Sequence, residues 1–149
     1  MVLDRRAWGL RRLNLLAPKF LKAHHERIGT WRSEVVMDGA IFFTRLYEQF
    51  NARAMDALLA SMAEDVMWAN AMECGHEHGR EAVRSYWTRQ WAMVDPHVEP
   101  VTIKQGEDEV WVVEVHQVVK DLEGKVLADA VVKHAFQLED GLVKRFDVR

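Results

Sequence analysis

The sequence predicts an α+β domain in which three helices pack on a curved antiparallel sheet and together form a cone around a pocket. Two observations predict it. Between Asp38 and Val94 apolar residues recur at helical spacing, and beyond Pro100 they alternate in runs separated by glycines. Helices first and strands afterwards is the order of an α+β fold.

Each element has its own signal. Phe43, Leu46, Tyr47 and Phe50 form the stripe of a first helix, and Met55, Leu58, Leu59 and Met62 that of a second, with the break near Asn51. The block Ala63 to Asn70 then carries a short strand. A polar loop, Cys74-Gly75-His76-Glu77-His78, leads to a third helix from about Arg80 to Val94, with Val83, Trp87, Trp91 and Val94 on one face. Asp95-Pro96 ends it, because proline excludes the helical conformation at the residue before it. Four further strands follow at Val101 to Lys104, Glu109 to Val119, Val126 to Leu138 and Leu142 to Val148, punctuated by Gly106, Gly124 and Gly141.

Composition bounds the rest. A chain of 149 residues, 49% hydrophobic, suffices for one domain with one core. Its single cysteine gives no disulfide framework and fits a cytoplasmic location. No apolar run reaches the roughly 18 residues of a membrane span. Residues 1–36 carry eight Lys/Arg against three Asp/Glu, while the remainder carries 12 against 20. A body so acidic argues against nucleic acid as a partner. We therefore expect a basic N-terminal extension at 1–36 and a functional domain at 37–149. Contact with a membrane surface is one reading of the extension, since Trp8, Leu10, Leu13 and Phe20 are interleaved with its charges; a dispensable leader is the other.

Strand parity nominates the lining of the pocket. Val110, Val112, Glu114, His116 and Val118 share one face of their strand, and Trp111, Val113, Val115 and Gln117 share the other. A hairpin with the three-residue loop Leu122 to Gly124 sets His116 opposite Ala130, Glu114 opposite Val132 and His134 opposite Val112. One face then presents Glu114, His116 and His134 amid Val and Ala. A carboxylate and two imidazoles in an apolar concavity are a catalytic acid-base set, because burial and mutual charge move their pKa values toward neutrality. The other face, with Trp111, Val113 and Val115, is too apolar to leave bare, and a twin subunit would cover it.

Tyr47-Glu48-Gln49-Phe50-Asn51-Ala52-Arg53, the block Ala63 to Asn70, Gly79-Arg80-Glu81-Ala82-Val83, and Phe136 to Val143 carry a resemblance over about residues 38 to 149. As a set and in this order they resemble the nuclear transport factor 2-like (cystatin-like) superfamily, and within it the SnoaL-like branch. The resemblance implies the cone-shaped α+β barrel and a homodimer. It implies no single activity, since relatives include isomerases, dehydratases, polyketide cyclases, epoxide hydrolases and silent binding domains. In ketosteroid isomerase relatives the base is a carboxylate where this chain has Asn70, their second carboxyl falls on His134, and their Tyr donor falls on Leu46, beside Tyr47. In limonene-epoxide hydrolase relatives an aromatic and an Asn matching Trp68 and Asn70 hold the reactive water, but their Arg and Asp appear here as Glu114 and His116. Where many relatives carry Asp, this chain has Ala54, so its second helix lacks an N-cap at a cost of about 1 kcal/mol.

The candidate site therefore comprises Glu114, His116 and His134 as catalytic residues, with Tyr47, Trp68, Asn70, Trp87, Trp91 and His76 as ligand contacts. Each has a quieter reading: the tryptophans as core, Asn70 as a backbone cap, the histidines as satisfied core groups. The Cys/His loop matches no common zinc spacing, so no metal is expected. No phosphate loop, dinucleotide fingerprint or serine nucleophile motif is present, and no cofactor is expected. Two functions follow: an acid-base isomerase, cyclase, dehydratase or hydrolase acting on a small apolar carbonyl, hydroxyl or epoxide compound, or a domain that binds such a molecule or assembles as a dimer.

Overall fold

The first helix, α1, enters at Asp38 and runs over 38–51, where Asn51 closes it against the sheet. Its carboxamide donates to the carbonyl of Val98 at 2.8 Å and accepts from the Val98 N–H at 2.9 Å, a two-point bond that fixes the helix end. The structure, a computed structural model, describes residues 38–149, and the expectations for the basic extension lie outside the described residues. After Arg53, which takes the left-handed conformation at φ 58°, comes the six-residue helix α2, Met55–Ala60. No side chain caps its start at Ala54, as the sequence implied.

Six strands and one further helix complete the described order: β1 Met62–Ala69, β2 His76–His78, α3 Arg80–Met93, β3 Val94–Gln105, β4 Val110–Asp121, β5 Val126–Glu139 and β6 Leu142–Val148. They form a single curved sheet in the order β2-β1-β6-β5-β4-β3. It is mixed rather than antiparallel throughout, because β1 and β6 run parallel, and it does not close.

Three boundaries differ from expectation for physical reasons. Met62 leaves the α2 stripe to open β1, since Ser61 ends the helix with both its N–H and its hydroxyl on the Leu58 carbonyl. His76–His78 pairs with Met67–Ala69 and is a strand, where a loop was expected. Strand β3 begins at Val94 and carries Pro96 and Pro100; it is an edge strand, where a missing N–H costs no ladder bond.

The largest correction concerns β4 and β5. Their hairpin has the expected turn: Asp121 N–H bonds the Lys125 carbonyl, and Gly124 sits at φ +96°. One step further in, Lys120 pairs with Val126 but Val119 pairs with Ala128, so Leu127 is an extra residue. This β-bulge shifts the register by one. His134 therefore faces Val113, and His116 faces Val131. Because side chains alternate, the shift moves His134 to the face of Trp111, Val113, Val115 and Gln117, and separates it from Glu114 and His116.

That face is the interior. Val113 and Val115 are fully buried and Trp111 nearly so, beneath the helices of the same chain. Trp111 lies so close to α1 that a Cβ on Gly39 would come within 2.1 Å of its ring. Phe43 bridges Trp111 and Phe136, with ring centroids at 5.5 and 4.8 Å. The expectation that Trp111, Val113 and Val115 form an uncovered outer face is thus overturned.

Candidate functional site

Between the helices and the concave face of the sheet lies a cavity of about 260 Å³. Its walls are aromatic. Trp68 stacks on Phe146 with centroids 4.1 Å apart and meets Trp87 edge-on at 5.1 Å, while Phe136 and Met72 complete the apolar lining. Burial of such rings fixes the shape of the cone, since each contributes a large apolar area to the core. Among the described lining residues none is Asp, Glu, Lys or Arg.

One polar pair faces this apolar space. Tyr47, one turn before the end of α1, places its hydroxyl 2.8 Å from Nδ1 of His134 on β5, and the two rings stack at 5.9 Å. Both residues are buried. Burial holds the Tyr47 phenol well above its usual pKa. Burial also lowers His134 to about 4, because desolvation disfavours the imidazolium. Neither group is charged at neutral pH. Their bond is therefore between neutral partners, and Nε2 of His134 has no protein partner among the described residues.

The remaining polar lining is Gln117, Tyr86 and Gln90. Gln90 donates from Nε2 to the Tyr86 hydroxyl at 3.1 Å, and the same hydroxyl accepts from the Ala71 N–H at 3.2 Å. Sequence reasoning missed all three. For Gln117 the signal was present: it is the polar residue in the series Trp111, Val113, Val115, Gln117. Tyr86 and Gln90 are spaced one helical turn apart beside Val83 and Trp87.

The structure brings Tyr47, Trp68, Trp87 and His134 together at the cavity, and sets the other candidates elsewhere. Glu114 lies on the outer face, where its carboxylate accepts from Thr102 Oγ1 at 2.9 Å. His116 is on that face too, with Nε2 2.7 Å from Asp129. The alternation of β4, which buries Trp111, Val113 and Val115, puts both outside, and the Leu127 bulge parts them from His134. Trp91 stacks on Trp87 at 5.7 Å and under the Arg53 guanidinium at 5.1 Å, outside the lining. His76 pairs with Asp147 at 2.7 Å, beside Arg145. The Arg145 guanidinium first, and His76 second, hold the Asp147 carboxyl below its usual range.

Asn70 is buried but saturated. Its oxygen accepts from the N–H groups of Met72 and Glu73, and its amide donates to Glu73 and Glu77. It closes the turn into which Cys74 and Gly75 fold with positive φ, and it is not part of the cavity lining. Among the described residues no group of three or more His, Cys, Asp or Glu side chains is placed to hold a metal ion. Nor is any helix among them long and apolar enough to cross a membrane.

A family model of the SnoaL-like domain matches residues 43–146, from Phe43 in the core to Phe146 in the cavity wall. The chain belongs to the SnoaL-like family. No curated protein matches the sequence. Among solved structures, this SnoaL-like domain is similar to a putative polyketide cyclase from Sinorhizobium meliloti, with a TM-score of 0.64 and 16% identity over 76% of this chain and 97% of that one. It is similar to SalBIII, an epoxide hydrolase/cyclase-like enzyme of pyran ring formation in the polyether salinomycin, at 0.65 and 16% over 75% and 89%. A third is a Mycobacterium tuberculosis protein in complex with estradiol-17β-hemisuccinate, at 0.64 and 15% over 74% and 91%. At these identities the likeness establishes a shared fold, the nuclear transport factor 2-like α+β cone.

Proposed function

We propose that this SnoaL-like domain binds a small, uncharged ring compound and acts on it by acid catalysis, as an isomerase or cyclase without a cofactor. The observation that carries this reading is the Tyr47–His134 hydrogen bond at the wall of a mainly apolar cavity. Apolar walls supply affinity, and a few polar groups, this pair foremost, fix orientation. A phenol that accepts from His134 Nδ1–H presents its own O–H as a polarised donor, suited to a carbonyl or epoxide oxygen on which negative charge develops.

The lining also defines what the substrate must bring. With no carboxylate among the described lining residues, the nucleophile of a ring closure belongs to the substrate itself, and a carbon-bound proton moves by way of the Tyr47–His134 pair. Intramolecular ring closure and double-bond migration meet that condition. Glu114 and His116, on the outer face, have no part in this reading.

The absence of a strong base from that lining also favours a second reading, in which the ligand is bound and released unaltered. A thermal-shift screen of uncharged carbonyl, epoxide and phenolic compounds, with mass spectrometry of each hit before and after incubation, separates the two. Stabilisation with a changed product supports the enzyme; stabilisation with every compound recovered intact supports the binding domain. No stabilisation by any member contradicts both.

A homodimer through the outer sheet face stays a proposal on new residues: Val126, Leu127 and Val131, exposed by 50, 53 and 62%, replace Trp111, Val113 and Val115. Sedimentation of Val131→Lys tests it. A shift to monomer supports that interface, and an unchanged species contradicts it.

A further inference from the structure

We propose that Tyr47 and His134 act as one neutral proton relay, and that the substrate is therefore an enolisable β-dicarbonyl or a similar compound carrying a proton donor and a proton acceptor a few bonds apart. This rests on the reading of the cavity as a small-molecule site. The hydrogen bond joins the phenol oxygen to Nδ1, so the pair always offers the cavity two ends: the free side of the phenol and Nε2, which has no protein partner among the described residues. In one imidazole tautomer the phenol end donates and Nε2 accepts. In the other the roles reverse.

The transfer balances without creating charge. The substrate enol O–H bond breaks and its proton goes to Nε2. The Nδ1 proton passes to the Tyr47 oxygen, and the proton originally on that oxygen forms the new C–H bond at the substrate carbon. Phenol and imidazole both end neutral, and only the imidazole tautomer has changed. Exchange of the ring protons with solvent after product release restores the starting tautomer. A stepwise route through phenolate and imidazolium has no support in this cavity, where desolvation disfavours both ions.

The relay selects against ionised ligands, because no charged side chain among the described lining residues compensates a buried carboxylate or ammonium. The titratable groups in that lining are Tyr47, Tyr86 and His134. Burial raises both phenols and lowers the imidazole, so none changes charge across the neutral range.

Benzoylacetone tests the proposal: its keto and enol forms differ in ultraviolet absorbance, and its binding is read separately from quenching of tryptophan fluorescence. The relay predicts that the full chain speeds the approach to keto–enol equilibrium at a rate that is flat over about pH 6 to 8, where no relay group titrates. The rate should plot against deuterium fraction as a curve, since more than one proton moves in the transition state. Tyr47→Phe and His134→Gln should each lose the acceleration and keep the quenching. Binding without acceleration overturns the relay and leaves the pocket reading standing. So does acceleration retained in either variant, a linear deuterium plot, or a sigmoidal pH profile; the isotope and pH measurements need only the unmodified chain. Absence of quenching by benzoylacetone overturns the assigned substrate class, and a screen with no hits removes the pocket reading as well.

Discussion

The Tyr47 hydroxyl and His134 Nδ1 meet at 2.8 Å across 87 residues of chain, one carried by α1 and the other by β5. The bond is possible because the Leu127 bulge turns His134 inward. Helix, bulge and cavity thus depend on one another, and each can be tested separately.

Protonation of His134 should set part of the acid stability. Its folded pKa of about 4 lies below the unfolded value of 6.5, so between the two the unfolded chain binds more protons. Stability from this residue is complete above the upper value and falls as pH drops to about 4, by roughly 3 kcal/mol in all. The unfolding free energy from urea titrations should fall across that range by this amount more in the wild type than in His134→Gln. The same pH dependence in both proteins would mean that His134 is not buried as described.

Tyr47→Phe leaves Nδ1 of His134 buried without its partner. A loss of about 1–3 kcal/mol is expected. In a double-mutant cycle with His134→Phe, the coupling should be about 1 kcal/mol; strict additivity would show that the two side chains do not interact.

The two faces of β4 should respond oppositely to mutation. Glu114→Gln and His116→Ala, on the outer face, should change stability by no more than about 0.5 kcal/mol and leave ligand affinity unaltered. Gln117→Leu, in the cavity lining, should alter affinity for any thermal-shift hit while folding normally. Loss of binding in the outer variants would put that face at the ligand and contradict the orientation of β4.

Gly39→Ala should destabilise the protein although alanine is the better helix former by about 1 kcal/mol. The added methyl would lie 2.1 Å from the Trp111 ring, and repacking around it costs about 1–3 kcal/mol. Trp111→Leu in the same chain should recover part of that loss, as judged by the thermal midpoint.

Much of this was legible in the sequence. The 3.6-residue stripe of Phe43, Leu46, Tyr47 and Phe50, the alternation beyond Gly106 and the Gly124 turn place α1, β4, β5 and their hairpin, because burial periodicity and left-handed glycines are local properties, whereas β2 and the start of β3 at Val94 carry no such signal. Tyr47, Trp68 and Trp87 follow from such patterns and the resemblance, whereas His134 is nominated through a register that sets it beside Glu114, on a face it does not share. The failure at Glu114 and His116 has two parts: their face of β4 is the outer one, and an unshifted register wrongly sets His134 on it. A single extra residue, Leu127, looks like any other apolar residue in a strand, yet it reverses the parity of everything beyond it relative to the hairpin. The apolar character of Trp111, Val113 and Val115, broken only at Gln117, was the available sign that this face points inward. Asn70 was half legible: its carboxamide chemistry was recognised, but the four hydrogen bonds that occupy it are visible only in three dimensions.

The most direct test of the central claim is nitrogen-15 NMR of the histidine side chains at neutral pH as a thermal-shift hit is added. Of the seven imidazoles in the chain, His134 is the one placed in the cavity wall among the described residues. The account predicts that its two nitrogens respond to ligand while remaining those of a neutral ring. A response at His116 or His76 with His134 unmoved, or an imidazolium signal from His134, would contradict it.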